Sequence, residues 1–479
     1  MRKIISYALL LLAVYGIAGC SKWAEEKANI YHTVYLPGKT VSDAAPLAGS
    51  IKGTMQAGKT YTIDSDVYIN QGDTLMIQQG VTLNFKNGSG MVVLGSLFSV
   101  GSQAAPIYMT VPGVTRNDAP GLDPTTDPAH QGLWRGIIGG TTCPAMVLKW
   151  THIDFAGNPE GAVIAKNPAV NESAGTSFCI LFQNYKGYFV MEDSWVYGGT
   201  DDAMRISNGK VHIFRNTFEK PGGGGGGDCV NMKGGTVGTV AYNFFIATAY
   251  NGQKLSNKGQ PAGAPQANVV MYNSTFVNCG AQVQPGQRGS TIDYEQGAAG
   301  AYYNNVAINC RVGYRVVNNP AADTTHLSYG YNYQWADSLN VADQFFTWGP
   351  VCTIPQTTDL PLPSSYLPAG WNYESPTATY DGGTSSYSGG AAVQKMNPLF
   401  VNYPLPANNH GFAPWQNTAI GSFDFRLQPT SPLIGKGYTG VQPQVVVPLD
   451  LTYGASEVTP PGADLGCFQS NGKGNQHHP

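Results

Sequence analysis

The sequence predicts an all-β chain wound into a parallel β-solenoid, and three observations carry that expectation. Only 12% of the 479 residues are charged while 42% are hydrophobic, with 60 Gly and 32 Pro. Helices would need more Lys, Glu and Arg on their exposed faces, whereas short strands with many turns accommodate this balance. No helix-length 3.6-residue period appears beyond the first twenty residues; short alternating segments punctuated by glycine take its place. Finally, an Asn or Asp among aromatic and small residues recurs at Asp193, Asn216, Asn243, Asn273 and Asn304, at intervals of 23, 27, 30 and 31. A repeat of that size suits one solenoid turn, with successive turns stacked about 4.8 Å apart.

At the N-terminus, Arg2 and Lys3 precede an apolar run from Ile4 to Ala18 that ends in Ile17-Ala18-Gly19-Cys20. The run is too short for a spanning helix. Its last residues resemble a bacterial lipobox, which implies a signal peptide over 1–19, lipidation of Cys20 and membrane attachment through lipid alone. The following Ser21-Lys22-Trp23-Ala24-Glu25-Glu26 is similar to the stretch after the cysteine in surface-exported lipoproteins of Bacteroidetes. That likeness implies the outer membrane and the cell surface, with the periplasmic face as the alternative.

Residues 20–50, with Pro37 and Pro46 and no sustained alternation, read as a tether. The solenoid is expected over 51–345. It opens with alternating segments at Thr74–Phe85, Gly90–Gly101 and Pro106–Thr110 and continues through the Asn/Asp repeats. An Asn repeated at one corner can hydrogen-bond the turns above and below it and tolerates left-handed backbone, so these residues are assigned to architecture. Cys279 and Cys310 share the spacing of 31 and fit an inward ladder. The other cysteines, Cys143, Cys179, Cys229, Cys352 and Cys467, lack metal-ligand spacing and read mostly as small apolar core residues. Segments 112–130, 157–176 and 256–267 read as loops leaving the turns, and Gly222–Gly227 as another. Residues 346–479 form an arm packed along the solenoid and its closing coils, with Trp348, Tyr366, Trp371 and Tyr373 at its start.

Strand alternation places one set of polar residues together. If Met204, Ile206, Val230, Met232, Leu255, Ile292, Tyr294, Tyr314 and Val316 point inward, then Arg205, Asn231, Lys254, Asp293 and Arg315 form one exposed row on successive turns. Ser207, Lys233, Ser256 and Glu295 form a second row. An extended anionic or hydroxyl-rich polymer could lie across such rows. Equally, mixed charges on neighbouring strands support a ladder without further function. Asp202 and Asp228 begin equivalent strands and, with Asp293 or Glu295, are the oxygen ligands a calcium ion would take. The adjacent Asp201 and Asp202 would face opposite ways, which argues against a paired-acid site. His152 and His212 stand alone on strands, as surface or hydrogen-bonded side chains. With a net charge of −3 and no basic run, nucleic acid is not an expected partner.

The segments Leu75–Val81, Val92–Leu97, Trp134–Ile137 and Trp150–Gly157 resemble the opening coils of right-handed parallel β-helix proteins secreted by Bacteroidetes. Asn397–Val401, Asp424–Leu427, Ser431–Ile434 and Gly462–Gly466 are similar to the closing segment of polysaccharide-lyase-like β-helices. The resemblance implies a polysaccharide partner on an exposed strand face and a setting in glycan uptake beside an outer-membrane importer. It also implies the alternative of a lyase or hydrolase on that face, with Lys254 or Lys233, its pKa lowered, as base and Arg205 or Arg315 neutralising a uronate carboxylate. A structural or adhesive surface protein is the third expectation.

Overall fold

Strands this short are stable only if each turn of the chain covers the last. The computed structural model describes residues 38–475 apart from 118–121, 124, 162–163, 165–166, 224–226, 281–290, 311–312, 318, 336–350, 353–396, 404–420 and 422. Cys20, the signal segment and most of the 346–396 stretch with its aromatics fall outside the described residues.

The chain forms a right-handed parallel β-helix with three faces. Face 1 is a ten-stranded sheet from Gly53–Met55 to Leu327–Gly330. Faces 2 and 3 belong to a twenty-stranded sheet joined at the long strand Thr60–Ile69, whose first half pairs with Thr82–Phe85 and whose second half pairs with Met91–Val93. The stack begins at Leu47–Ser50, just ahead of the start expected near residue 51. Face 3 ends where Arg315–Val317 takes an antiparallel partner, Val351–Cys352.

Period-2 alternation makes each inward row continuous. On face 2, Val196, Phe218, Phe245, Phe276 and Ala307 are register partners on successive turns. The Phe218, Phe245 and Phe276 rings stack 5.1 and 4.8 Å apart, nearly parallel. Each such buried side chain contributes about 1.5–3 kcal/mol of transfer free energy. Cys143, Cys179, Cys229, Cys279, Cys310 and Cys467 are all buried free thiols, as expected of core residues.

The Asn repeats do turn the corner between faces 1 and 2, but they occupy two positions where one was expected. Asp193, Arg215, Tyr242, Asn273 and Asn304 all take left-handed backbone, with φ between 48° and 59°. The ladder itself lies one residue later. The Ser194 amide donates to Asn216 Oδ1, Asn216 to Asn243 Oδ1, Ser274 to Asn305 Oδ1 and Asn305 to Asn332 Oδ1, at 2.9–3.1 Å. Non-glycine residues such as Arg215 and Tyr242 rarely adopt positive φ. The hydrogen bonds beside them, each worth about 1 kcal/mol net, help to hold that strain.

The C-terminal segment packs along the solenoid as anticipated. Phe425 and Phe468 cover Phe244 on face 2, and Tyr453 meets Phe98 on face 1. The segments at Phe400–Asn402 and Asp424–Leu427 pair with each other antiparallel. Tyr242, Tyr272 and Asn273 hydrogen-bond the arm at Pro460, Thr459 and Asp464. These arm contacts all lie on faces 1 and 2 and the corner between them.

Candidate functional site

The outer surface of face 3 is one vertical row with a sharp change of character. Tyr68, Val92, Ile138 and Leu181 are register partners on successive turns, and the row continues directly into Arg205, Asn231, Lys254, Asp293 and Arg315. The apolar part is covered by Ile164, Val170 and Phe178 from the loop that follows face 2. The polar part is the row expected from alternation, in the expected register. Ser256 and Glu295 are likewise partners in the second row.

Exposure differs from expectation. Arg205 and Lys254 are half-buried, but Asn231 is 3% exposed, Asp293 0% and Arg315 1%. Glu295 is also buried. Much of the row is therefore satisfied from within. Arg205 Nε donates to Asp202 Oδ2 at 2.8 Å, and Asn231 Nδ2 donates both to Asp202 Oδ2 at 3.0 Å and to Asp228 Oδ2 at 2.8 Å. The Asp228 amide donates to Asp202 Oδ1 at 2.8 Å, and Asn251 Nδ2 donates to Asp228 Oδ1. Lys254 lies 3.3 Å from Glu295 and 3.7 Å from Asp228, and Arg315 lies 3.1 Å from Asp293.

These partners bear on two expectations. Lys254 does not have the lowered pKa a base would need: burial works against its charge, but Asp228, Asp293 and Glu295 outweigh burial and hold the ammonium above its usual range. Asp202 and Asp228, named as calcium ligands, have oxygens already occupied by Arg205, Asn231, Asn251 and a backbone amide. Among the described residues no group of three His, Cys, Asp or Glu is placed to hold a metal ion. Burial lifts the Asp202 carboxyl to about 7 against the pull of Arg205, and lifts Asp293 to about 6 against Arg315 and Lys254.

Where the row opens, a cleft of about 570 Å³ forms beside Arg205. Arg205, Lys233 and Lys258 supply three cations to its wall, Glu172 one carboxylate, and Asn171, Gln183 and Asn208 three amides. The Arg205 guanidinium also lies 4.5 Å over the Phe178 ring. Lys233 is pulled down to about 8, first by burial and then by the neighbouring charges of Arg205 and Lys254. Burial raises Glu172, against Arg205 and hydrogen bonds from Gln183, Ser207 and Thr176. The alternation argument found Arg205 and Lys233 but not Lys258, Glu172, Gln183 or Asn208. Lys258 and Glu172 sit on the loops at 256–267 and 157–176; the sequence marks those as loops without saying over which face they return. Asn208 follows the second row by one residue, so a finer reading of the strand end would have reached it.

The two histidines are accounted for. His152 stands on face 2 between Tyr108 and Trp195, with ring centroids 4.9 and 5.7 Å away. His212 is buried on face 1, its Nε2 3.0 Å from Glu192 Oε1.

Fold and site together define a parallel β-helix with one polar strand face and a cationic cleft. No family model matches the chain, and no solved structure matches it. Among curated proteins, a stretch of 49 residues is 43% identical to part of the protein bark beetle of Drosophila melanogaster. That stretch is 10% of this chain and 2% of the fly protein, so the match spans a small fraction of either length.

Proposed function

We propose that the chain binds a polysaccharide at the open part of face 3, as a lipid-anchored protein of the bacterial outer membrane working beside a glycan importer. One observation supports this above the others: polar side chains from successive turns stand in a single register row, and its open end leads into a cleft with three cations. Rungs about 4.8 Å apart present groups at a pitch comparable with sugar rings in an extended chain. Amides serve hydroxyls, and Arg and Lys serve carboxylates or sulfates. The anchoring part rests on the Ile17–Cys20 motif alone.

Calorimetry of the purified protein against neutral and uronate-containing glycans tests the binding. Saturable binding weakened about tenfold or more in Arg205→Ala is the expected outcome, and no binding to any glycan overturns the proposal. Loss of lipid labelling and of membrane association in Cys20→Ala tests the anchor.

A lyase is the second reading, favoured by Lys233. With its amine near 8 beside Arg205, Lys233 could remove the proton next to a uronate carboxylate whose charge Arg205 offsets; the electron pair left behind forms the C=C bond as the glycosidic C–O bond on the adjacent carbon breaks, and the departing oxygen takes a proton from water. Absorbance of an unsaturated product that disappears in Lys233→Ala would mark turnover; binding without product leaves the binder.

A further inference from the structure

We infer that the open site is a pocket for the anionic end of a glycan chain, not a groove for its middle: the acidic group of the terminal sugar meets Arg205, Lys233 and Lys258, and a neighbouring hydroxyl donates to Asn208 Oδ1. This rests on the polysaccharide reading above and narrows it to a substrate class and a mode of binding.

The first support is extent. A groove for an extended polymer needs its floor open over several rungs. Here the floor is half-buried at Arg205, yet Asn231 is already 3% exposed and Asp293 and Arg315 are at 0% and 1%. Lys254, between them, is held by Glu295 and Asp228. The accessible volume is a compact cleft of about 570 Å³, inside the range of about 300–1,000 Å³ typical of small-molecule pockets.

The second support is the chemistry of the wall. Three cations face one carboxylate, Glu172, which already accepts from Gln183 Nε2 at 3.2 Å. The excess of positive charge suits an anionic ligand group, carboxylate or sulfate ester. Asn208 is only 8% exposed, lines the cleft, and its Oδ1 has no hydrogen-bond partner. A buried amide oxygen left without a donor is unfavourable. That oxygen lies out of contact with solvent, so the amide must turn slightly toward the cleft before a ligand hydroxyl next to the acidic group, which sugar acids carry, can supply that donor.

The test is calorimetry at pH 7 with galacturonate oligomers of one to six units, long polygalacturonate, sulfated disaccharides and neutral gluco-oligomers. Affinity is expected to reach within about threefold of its plateau by the dimer, and the stoichiometry on the long polymer to follow the number of chain ends. Sulfated ends binding in place of uronate ends would identify the anion as sulfate and uphold the pocket. Affinity rising tenfold or more out to the hexamer, or stoichiometry following polymer mass, overturns the pocket while leaving polysaccharide binding in place. Neutral oligomers binding as well as acidic ones overturn the anionic assignment, and failure of every glycan to bind removes the parent reading itself. Asn208→Leu is expected to weaken binding about tenfold, the worth of one good hydrogen bond to a buried acceptor. Lys258→Gln, at an exposed position with little risk to folding, should do the same. Unchanged affinity in Lys258→Gln overturns the assignment even if Asn208→Leu fails to fold.

Discussion

Two clusters of mixed charge lie on the outside of this solenoid, and they have opposite fates. On face 1 and its corner, Lys149, Glu192, His212 and Arg215 are sealed beneath the C-terminal arm. Lys149 Nζ donates to the carbonyls of Asp450 and Leu451 and to Ser456 Oγ, at 2.8–3.1 Å. The Ser456 amide donates to Glu192 Oε1, and Arg215 bridges Asp193 and Thr459. Burial opposes the Glu192 charge, but His212, Lys149 and Arg215 hold its carboxyl down at about 2. On face 3, Arg205, Asp202, Asp228 and Lys254 form a comparable network whose edge borders an open cleft. The residue types are alike. What separates a structural cluster from a candidate binding site is whether the chain supplies its own cover.

The largest expected effect breaks the first cluster. Glu192→Ala leaves Lys149 without its buried counter-charge, Arg215 keeping Asp193, and should cost about 3–5 kcal/mol in chemical denaturation, with glycan affinity unchanged for whatever protein folds. Next comes the corner ladder: Asn243→Ala removes the acceptor of the Asn216 amide and the donor to the Ile213 carbonyl. Leaving buried backbone groups unpaired should cost about 1–3 kcal/mol, read as a lower midpoint without change in cleft binding. Arg205→Ala should differ in kind: it strips the buried Asp202 of its cation, at about 1–3 kcal/mol because that carboxyl, already lifted to about 7, can take up a proton instead, and affinity falls about tenfold as well. Equal losses of stability at Glu192 and Arg205 would erase the contrast between the clusters.

Acidity separates them more finely. The Glu192 carboxyl is depressed from 4.5 to about 2, so its stabilising share is present above pH 4.5 and is lost as pH falls toward 2. Glu192→Gln should flatten that part of an acid-denaturation profile. Lys233 behaves oppositely: it is depressed from 10.5 to about 8, so its ammonium costs stability below pH 8 and the cost fades between 8 and 10.5. Affinity for an anionic glycan should fall by a few-fold as pH rises through about 8, and Lys233→Arg, permanently charged, should remove the fall.

The row on face 3 was legible because alternation with period 2 needs no tertiary information: once Met204, Val230, Leu255 and Tyr294 point inward, Arg205, Asn231, Lys254 and Asp293 must point outward. Exposure was not legible. Asp293 and Arg315 carry full charges, the mark of a solvent face, yet are buried against each other. The Asn repeats were legible as a corner, but not that the ladder passes from Asn216 and Asn243 to Ser274 and Asn305. Arg215 and Tyr242 occupy left-handed positions that composition would assign to Asn or Gly.

The sequence by itself determined a parallel stack, the residues at its corners and the side chains that face outward from each rung, because period, polarity and turn chemistry are local properties. Only the tertiary structure decided which outward charges remain reachable. Accessibility depends on where the loops carrying Glu172 and Lys258, and the arm carrying Ser456 and Thr459, come to rest. Those docking sites are set by contacts between residues up to 307 positions apart, on which no local pattern reports.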